Sequence, residues 1–383
     1  MESQVPYFFL PQIISLFFLL FFLKSSPLAL QNIFSRPDLY DGYFPISTVD
    51  DIIGSKPPSI WLNIQVTFPP FLFFPQTLNL KLQYDQIYNR HNASILSYLL
   101  DTNLKTVEFI SSPELGFLKD MKSQLLKSKE ANKSLFFVFQ DKNQTEPTTK
   151  QTYQAILDNL SIIRLYVDGI VIPKEYIYSQ NDAGYLQPPT TVVPDAHKQG
   201  LQVYVTGFAN DMVKPYNYSY DPSAEYLQYI DNSRFTVDGF ITDFPPTASQ
   251  VVACFAKFNS TKKVKGQPLI ISHNGASGVC PGSTDIAYRQ AVQDGADVID
   301  CSVQMSQDGI PFCLNSADLT GNTDALNKFM SQSVSIPEVQ AAPGVFSFNL
   351  KWSDIQSLTR KSHTSAQIEQ THILIFSPNR KPI

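Results

Sequence analysis

PLIISHNGASGVCPGSTDIAYRQAVQDGADVIDCSVQMSQDGIPFCLNSAD, residues 268–318, is the stretch that decides the predicted fold. A first apolar run ends in a polar group that contains His273, and a stretch with helical periodicity follows it. A second apolar run contains Asp300 and continues through an Asp-Gly turn into a third. Polar side chains at the carboxyl ends of successive buried strands are typical of the sites of α/β proteins, and of barrels in particular. The sequence therefore predicts parallel strands with a site at one end.

The order and spacing of these segments resemble the opening of a glycerophosphodiester phosphodiesterase domain. In that family the corresponding segments read His-Arg-Gly, Pro-Glu-Asn-Thr, Gly-Ala-Asp, Glu-x-Asp, Lys-Asp-Gly and His-Asp. The form found here is most similar to the second domain of the plant cell-surface members, which carry two such domains in tandem. The resemblance implies a (β/α)8 barrel of the TIM type. It also implies the family's reaction, the cleavage of a glycerophosphodiester into an alcohol and glycerol 3-phosphate.

The resemblance assigns the substrate end of the site to three consecutive residues. His273 stands at the family's first histidine and is the candidate general base, because imidazole exchanges protons near neutral pH. Asn274 and Gly275 stand at the substrate-binding positions, where Asn274 replaces an arginine and loses its bidentate grip on phosphate. The competing interpretation of His273 is a hydrogen-bonded residue at a strand end. Asp243 also ends a strand, but capping of the next helix explains it equally well.

The candidate metal ligands are weaker than those of the family. The resemblance places Asp300, Ser302 and Gln65 at the positions of the carboxylates that hold a divalent cation, Ca²⁺ or Mg²⁺. Hard cations need several oxygen donors, and two of these three side chains are neutral. We therefore expect weak or absent cation binding. Asn315 stands where the family has a second histidine, so the role of proton donor has no occupant at its place.

Composition excludes one class of partner. The net charge is −5, and no basic stripe is present that would neutralise the phosphates of a nucleic acid. An anionic diester would instead need a local positive charge or a metal. The chain has 28 Phe and 18 Tyr, which suits a thick core and, alternatively, surfaces that face carbohydrate.

The chain divides at a polar, charged linker, residues 259–268. Residues 34–258 resemble strands three to eight of a family domain, and residues 269–383 resemble strands one and two of a second one, with the likeness fading after Arg360. The predicted strands before the linker are Ile60–Gln65, Thr106–Ser111, Ser134–Gln140, Gly169–Pro173, Gln202–Gly207 and Gly239–Asp243. Those after it are Leu269–Ser272, Val298–Met305 and Ile310–Leu314. The predicted helices include Gln151–Leu160, Ala196–Gln199, Pro222–Asp231, Ala248–Lys257 and Thr284–Asp294.

Two architectures are compatible with this division. Six strands and two strands add up to the eight that a barrel needs, and closure removes the exposed edges of a sheet. The two segments then form one circularly permuted barrel, which is tolerated where domain termini lie close together. The alternative is a pair of incomplete tandem copies that fold separately.

The first residues predict export. Ile13 to Leu23 form an apolar block of 11 residues, too short to cross a bilayer and typical of a secretory leader, here residues 1–29. A signal anchor is the alternative, and no transmembrane span is expected in the mature chain. Six Asn-x-Ser/Thr sequons support a secreted glycoprotein of the cell surface or cell wall. A bridge between Cys301 and Cys313, which flank one Asp-Gly turn, is conceivable.

The sequence therefore leads to two functional hypotheses. The first is a metal-assisted hydrolase of glycerophosphodiester small molecules whose activity is weak or lost, because neutral residues replace most of the polar constellation. The second is a non-catalytic binding module that uses the barrel mouth or an aromatic surface, with cell-wall polysaccharide as its partner. Site residues decide between them, because a fold does not define an activity.

Overall fold

The chain folds around a closed barrel of eight parallel strands, in which each strand pairs with the next and the last pairs with the first. The computed structural model describes residues 36, 40–64, 88, 94–101, 107–128, 133–211, 215–258, 267–336 and 339–361. The barrel strands are β1 Ile60–Asn63, β2 Val107–Ser112, β3 Ser134–Val138, β4 Gly169–Pro173, β5 Gln202–Phe208, β6 Gly239–Thr242, β7 Leu269–Ser272 and β8 Val298–Met305. The predicted (β/α)8 architecture is confirmed.

Both segments of the chain contribute to this barrel. Strands β1 to β6 precede the linker, and β7 and β8 follow it. Closure is made by β1 and β8, which pair in parallel from Ile60 opposite Ile299 to Asn63 opposite Ser302. On the other side of the junction, β6 pairs with β7 from Gly239 opposite Leu269. Of the two architectures expected from the sequence, the structure has the single barrel.

Helices surround the barrel on its outside. They are α1 Val49–Gly54, α2 Ile95–Asp101, α3 Leu115–Ser128, α4 Tyr153–Asp158, α5 Val192–Lys198, α6 Pro222–Ile230, α7 Pro245–Phe258, α8 Asp285–Gln293, α9 Ala325–Phe329 and α10 Trp352–Ile355. Several begin at a side-chain cap; Thr284, for example, accepts a hydrogen bond from the Ala287 backbone N–H at the start of α8. Within the described ranges, no helix is both long and apolar enough to span a bilayer.

The barrel interior is filled by large side chains from successive strands. Buried members of this cluster are Trp61, Phe136, Val138, Val171, Tyr204, Ile241, Ile271 and Val298. Two glycines make room for the rings: a Cβ at Gly169 would lie 2.6 Å from the Phe136 ring, and one at Gly239 would lie 2.7 Å from the Tyr204 ring. This alternation of large and small residues lets side chains fill the interior of the barrel.

A smaller lobe extends the barrel after β8. Strand β9, Pro311–Cys313, pairs antiparallel with the end of β8, and a disulfide joins Cys301 to Cys313 across the hairpin. A separate cluster of buried residues packs beneath it, namely Ile46, Phe312, Leu314, Leu319, Ala325, Val345, Leu350, Ile355 and Leu358. The lobe also contains a short hairpin of β10 Val334–Ile336 and β11 Gln340–Gly344.

Some predictions lie outside the described residues. These are the leader 1–29, Gln65 and most of the linker, residues 259–266. Two helices were predicted to begin too late: α5 begins at Val192 rather than Ala196, and α7 at Pro245 rather than Ala248. Proline in the first turn of a helix removes no intrahelical hydrogen bond, because the first backbone N–H groups have no intrahelical partner.

Candidate active site

A cavity of about 240 Å³ opens at the carboxyl ends of the strands. One side is apolar and includes Trp61, Phe139 and Ile241, whereas His273 and Asp300 belong to the polar side. Each of these residues lies on a barrel strand or directly after one. In TIM-type barrels this end carries the chemistry, because the loops that follow the strands converge there. The structure therefore brings the predicted base and one predicted metal ligand into the same cavity.

His273 follows β7 and is held by a carboxylate. Its Nδ1 lies 2.8 Å from Oδ1 of Asp243, which follows the neighbouring strand β6. The side chain is 36% exposed, so one face of the ring remains accessible. Burial disfavours the imidazolium, but the hydrogen bond and charge of Asp243, with the charge of Asp300, raise the pKa of His273. With Nδ1 engaged by Asp243, Nε2 is the ring nitrogen left for a ligand.

Asp243 is in turn bound by an arginine from the N-terminal part of the chain. Arg36 contacts Oδ2 of Asp243 through one terminal nitrogen, and its Nε lies 2.9 Å from Oδ2 of Asp211. Burial alone would raise the pKa of Asp243, but Arg36 and His273 outweigh it and hold that pKa well below its usual range. Asp243 is therefore an anion at neutral pH, held between the guanidinium of Arg36 and the ring of His273.

Asn274 and Gly275 form a tight turn beneath His273. Their φ angles are 56° and 86°, both in the left-handed region, and a Cβ at Gly275 would lie 2.7 Å from the Ala287 backbone. The Asn274 amide oxygen accepts a hydrogen bond of 3.2 Å from the Ser302 backbone N–H. The side chain is buried and tied to β8, so this amide oxygen serves the fold rather than a ligand.

Asp300 and Ser302 point into the barrel from β8. Their neighbours Ile299, Cys301 and Val303 belong to the outer core, and side chains alternate along a strand. Asp300 is 2% exposed, and within the described part of the chain its Oδ1 and the Ser302 Oγ have no hydrogen-bond partner. Desolvation, only partly offset by His273 and by the Asn274 backbone N–H, raises the pKa of Asp300 to about 7.

These donors do not fit a tightly bound divalent cation. The described residues contain no group of three or more His, Cys, Asp or Glu side chains arranged to hold a metal. The two unsatisfied oxygens offer one ionisable ligand, and the nearby Asn63 Oδ1 already accepts a hydrogen bond from Ser111.

Sequence reasoning missed two members of the site. Nothing in the local sequence marks Arg36 or Asp211, because only the folded chain brings them to β6 and β7. Asp243 was visible at a strand end, but its contact with His273 was not expected. His197 lies on α5 at the surface, away from the cavity, and its Nε2 is 2.9 Å from Oδ2 of Asp238.

Comparison with known proteins supports the resemblance. Residues 273–380 match the model of the glycerophosphoryl diester phosphodiesterase family. The chain is 49% identical over 328 residues to Glycerophosphodiester phosphodiesterase GDPDL7 of Arabidopsis thaliana, which covers 86% of this chain and 41% of that protein. GDPDL1 of the same plant is 45% identical over 338 residues, 87% of this chain and 41% of its own length. The chain thus spans less than half the length of these relatives.

The fold and the site define a TIM-barrel protein with a histidine–aspartate pair at its mouth. With the sequence matches, they show that residues 273–380 carry a domain of the glycerophosphoryl diester phosphodiesterase family and that most of the chain is similar to plant glycerophosphodiester phosphodiesterases. Proteins of this family act on glycerophosphodiesters and generally depend on a divalent cation. The match reaches residue 380, so the expectation that the likeness fades after Arg360 is wrong. A solved pyruvate carboxylase of Rhizobium etli, at 12% identity and a TM-score of 0.37 over 70% of this chain and 26% of its own, is too dissimilar to be informative.

Proposed function

We propose that the barrel mouth binds glycerophosphodiesters and hydrolyses them slowly. The observation that carries the proposal is the His273–Asp243 pair beside a cavity of about 240 Å³. With Nδ1 bound to Asp243, Nε2 of His273 accepts a proton from the water that attacks phosphorus. The phosphorus–oxygen bond to the alcohol then breaks, the leaving oxygen takes a proton from solvent water, and His273 returns its proton to solvent, so that the products are the alcohol and glycerol 3-phosphate.

The proposed reaction is slow because two functions of the family site are weakened. Asn315 replaces the second histidine, so the leaving oxygen lacks a matching imidazole donor. Ca²⁺ or Mg²⁺, when bound, would offset the charge of the phosphoryl oxygens, but the donors around Asp300 and Ser302 do not fit tight binding. The cation Arg36 is already engaged by two carboxylates. We therefore propose weak cation binding and derive no step through the metal.

The test is release of glycerol 3-phosphate from glycerophosphocholine by the purified chain, with calcium and with a chelator. We expect low activity that falls about 100-fold in His273→Ala, a general base contributing roughly 10²–10⁴ in rate. His197→Ala is the matched control, since that histidine lies on the outer surface, and should leave activity unchanged. A folded His273→Ala protein with undiminished activity would refute the proposal.

A second candidate function is a carbohydrate-binding module, favoured by an exposed group of tyrosines. Tyr185, Tyr216 and Tyr220 are 51%, 41% and 54% exposed. The centre of the Tyr216 ring lies 5.8 Å from that of Tyr185 and 6.4 Å from that of Tyr220. They sit on the loops after β4 and β5, at the same end of the barrel as the cavity. We call this group the tyrosine surface. Exposed aromatic groups of this kind mark binding sites, and tyrosine offers both an apolar face and a hydroxyl.

Binding to cell-wall polysaccharide tests the second candidate. Affinity electrophoresis in gels that contain xyloglucan or cellulose derivatives would compare the wild type with Tyr216→Ala and Tyr220→Ala. Tyr43→Ala is the control, because Tyr43 is 76% exposed and lies outside the tyrosine surface. Retardation that is lost only in the first two variants supports a binding module. Equal mobility of all four proteins in every gel excludes it.

We also propose that the protein is secreted and glycosylated. The Cys301–Cys313 disulfide is typical of oxidising compartments, and the sequon residues Asn143, Asn159 and Asn217 are all exposed. Expression in plant cells followed by enzymatic removal of N-glycans should lower the apparent mass. Replacing the three asparagines by glutamine should remove a matching part of that shift, and an unchanged mass in the secreted wild type would contradict glycosylation.

A further inference from the structure

Arg36 lies in a site built from three loops of the barrel. Its Nε and a terminal nitrogen bind Asp211 after β5 and Asp243 after β6, and its other terminal nitrogen donates to the Ser277 carbonyl after β7 at 3.3 Å. The guanidinium also lies 5.8 Å from the centre of the Phe244 ring. Its side chain is 8% exposed. This is a fixed position, because planar guanidinium binds several acceptors in one geometry.

We propose that Arg36 is a positioning residue, which acts through Asp243 to hold His273 in the tautomer that leaves Nε2 free to accept a proton. The inference rests on the proposed function, in which His273 is the base. It adds a residue that has no counterpart among the motif positions predicted from the sequence. The chain of contacts runs from Arg36 to Oδ2 of Asp243, and from Oδ1 of the same carboxylate to Nδ1 of His273.

The carboxylate of Asp243 is shared between two partners. Arg36 takes one oxygen of Asp243 and His273 takes the other, so the carboxylate cannot rotate without breaking a charged hydrogen bond. Without Arg36, the carboxylates of the buried Asp211 and the largely buried Asp243 would lose the cation that now lies between them and would repel each other. Repulsion of this kind is relieved by protonation or by rotation of one side chain. Either response weakens the bond to Nδ1.

The tautomer of His273 depends on that bond. A neutral imidazole carries its proton on one nitrogen, and the partner of the other nitrogen decides which. Asp243 accepts the proton of Nδ1, which leaves the lone pair on Nε2. The charged groups that act on His273 are Asp243, Asp300 and Arg36, and of these only Asp243 bonds its ring. If the hydrogen bond between Asp243 and Nδ1 is weakened, His273 therefore no longer favours the tautomer with its proton on Nδ1.

The experiment measures the tautomer directly, by ¹⁵N-labelled histidine NMR of the full chain at a pH where His273 is neutral. The wild type should show His273 with its proton on Nδ1. In Arg36→Gln at least half of this population should move to Nε2–H, and kcat for glycerophosphocholine should fall about tenfold with KM within twofold. Arg289→Gln is the matched control, because Arg289 forms only an exposed ion pair with Asp285, and it should change neither.

A second variant keeps the test decisive if Arg36→Gln does not fold. Arg36→Lys retains a charge, but one ammonium does not reproduce the two-carboxylate grip, so a smaller shift in the same direction is expected. A folded Arg36 variant whose His273 keeps the wild-type tautomer overturns the inference. The proposed function fails separately: if the wild type shows no hydrolysis, the tautomer shift still reports whether Arg36 positions the ring.

Discussion

Two aspartates of the site have pKa values that are shifted in opposite directions, although Asp300 is buried and the side chain of Asp243 is only 16% exposed. Asp243 lies between Arg36 and His273, so its pKa is held below the usual range. Among the residues that the structure describes, no cation contacts Oδ1 of Asp300, and desolvation raises the pKa of this carboxyl to about 7. Charge pairing therefore separates the two roles at neutral pH: one carboxylate is a fixed anion, and the other is close to half protonated.

Asp300 should make the folded state less stable as the pH rises. The pKa of Asp300 is higher in the folded state than in the unfolded state, where it is 3.8. The stability that the protonated carboxyl contributes is therefore fully present below pH 3.8 and is lost as the pH rises through about 7. Asp300→Asn removes this dependence. Between pH 5 and pH 8, we expect the free energy of unfolding of the wild type to fall by about 2 to 3 kcal/mol relative to that of the variant. Urea unfolding at the two pH values measures the difference.

The control for this prediction is Asp285→Asn, an exposed aspartate at the start of α8. Its pH dependence should follow the wild type. If Asp300→Asn also follows the wild type, Asp300 is ionised at much lower pH than we infer.

The sequence could identify site residues only where a local pattern marks them. His273 and Asp300 follow or interrupt apolar runs, and both line the cavity. The sequence pattern around His273 could not show that the Asn274 side chain binds β8. That contact depends on the turn at Asn274 and Gly275, in which both residues have a positive φ. Arg36 carries no local pattern at all. Its role arises from long-range contacts alone.

At the scale of elements, the buried strands were the easiest to predict. Gly169–Pro173 and Val298–Met305 have the predicted bounds, because apolar runs bounded by breaking residues identify buried parallel strands. Helix α3, Leu115–Ser128, was not predicted, since its buried stripe is interleaved with lysines and polar residues. The β10–β11 hairpin was also missed, because the exposed positions of β10 give no apolar run.

Helix α3 begins at a cap supplied from another loop. The buried Glu146 accepts hydrogen bonds from the backbone N–H groups of Leu115 and Thr148, at 3.1 Å each, and from Thr149. Glu146→Ala leaves the buried Leu115 N–H without its acceptor and removes the acceptor of two half-buried N–H groups, so it should lower the free energy of unfolding by about 2 to 3 kcal/mol. Chemical denaturation checks this value against Glu175→Ala, an exposed control that should stay within about 0.5 kcal/mol of the wild type. Equal stability of the two variants would contradict the capping role.

The disulfide joins β8 to β9 beside Asp300 and Ser302. Cys301 and Cys313 are 12 residues apart and both are buried. Replacing both by alanine should cost about 2 to 4 kcal/mol, because the unfolded chain gains freedom. Thermal unfolding with and without reductant measures it: the reductant should destabilise the wild type and leave the double variant unchanged. Cys254→Ala, at an exposed free cysteine, should behave as the wild type.

At the scale of the whole molecule, the number of predicted barrel strands, six before the linker and two after it, indicated the single closed barrel. Six strands before the linker would expose two edges, and β7 and β8 remove both by pairing with β6 and β1. Neither segment holds the site alone: Asp243 precedes the linker, whereas His273 and Asp300 follow it. A barrel shared by both segments should therefore unfold in a single cooperative transition.

Cleavage of the linker tests this shared barrel most directly. A specific protease site placed within residues 259–268 would let the purified, folded protein be cut between β6 and β7. We predict that the two fragments stay together in gel filtration under native conditions, separate only in denaturant, and melt in one transition. Fragments that separate in buffer and melt independently would contradict the single barrel, and with it the joint site.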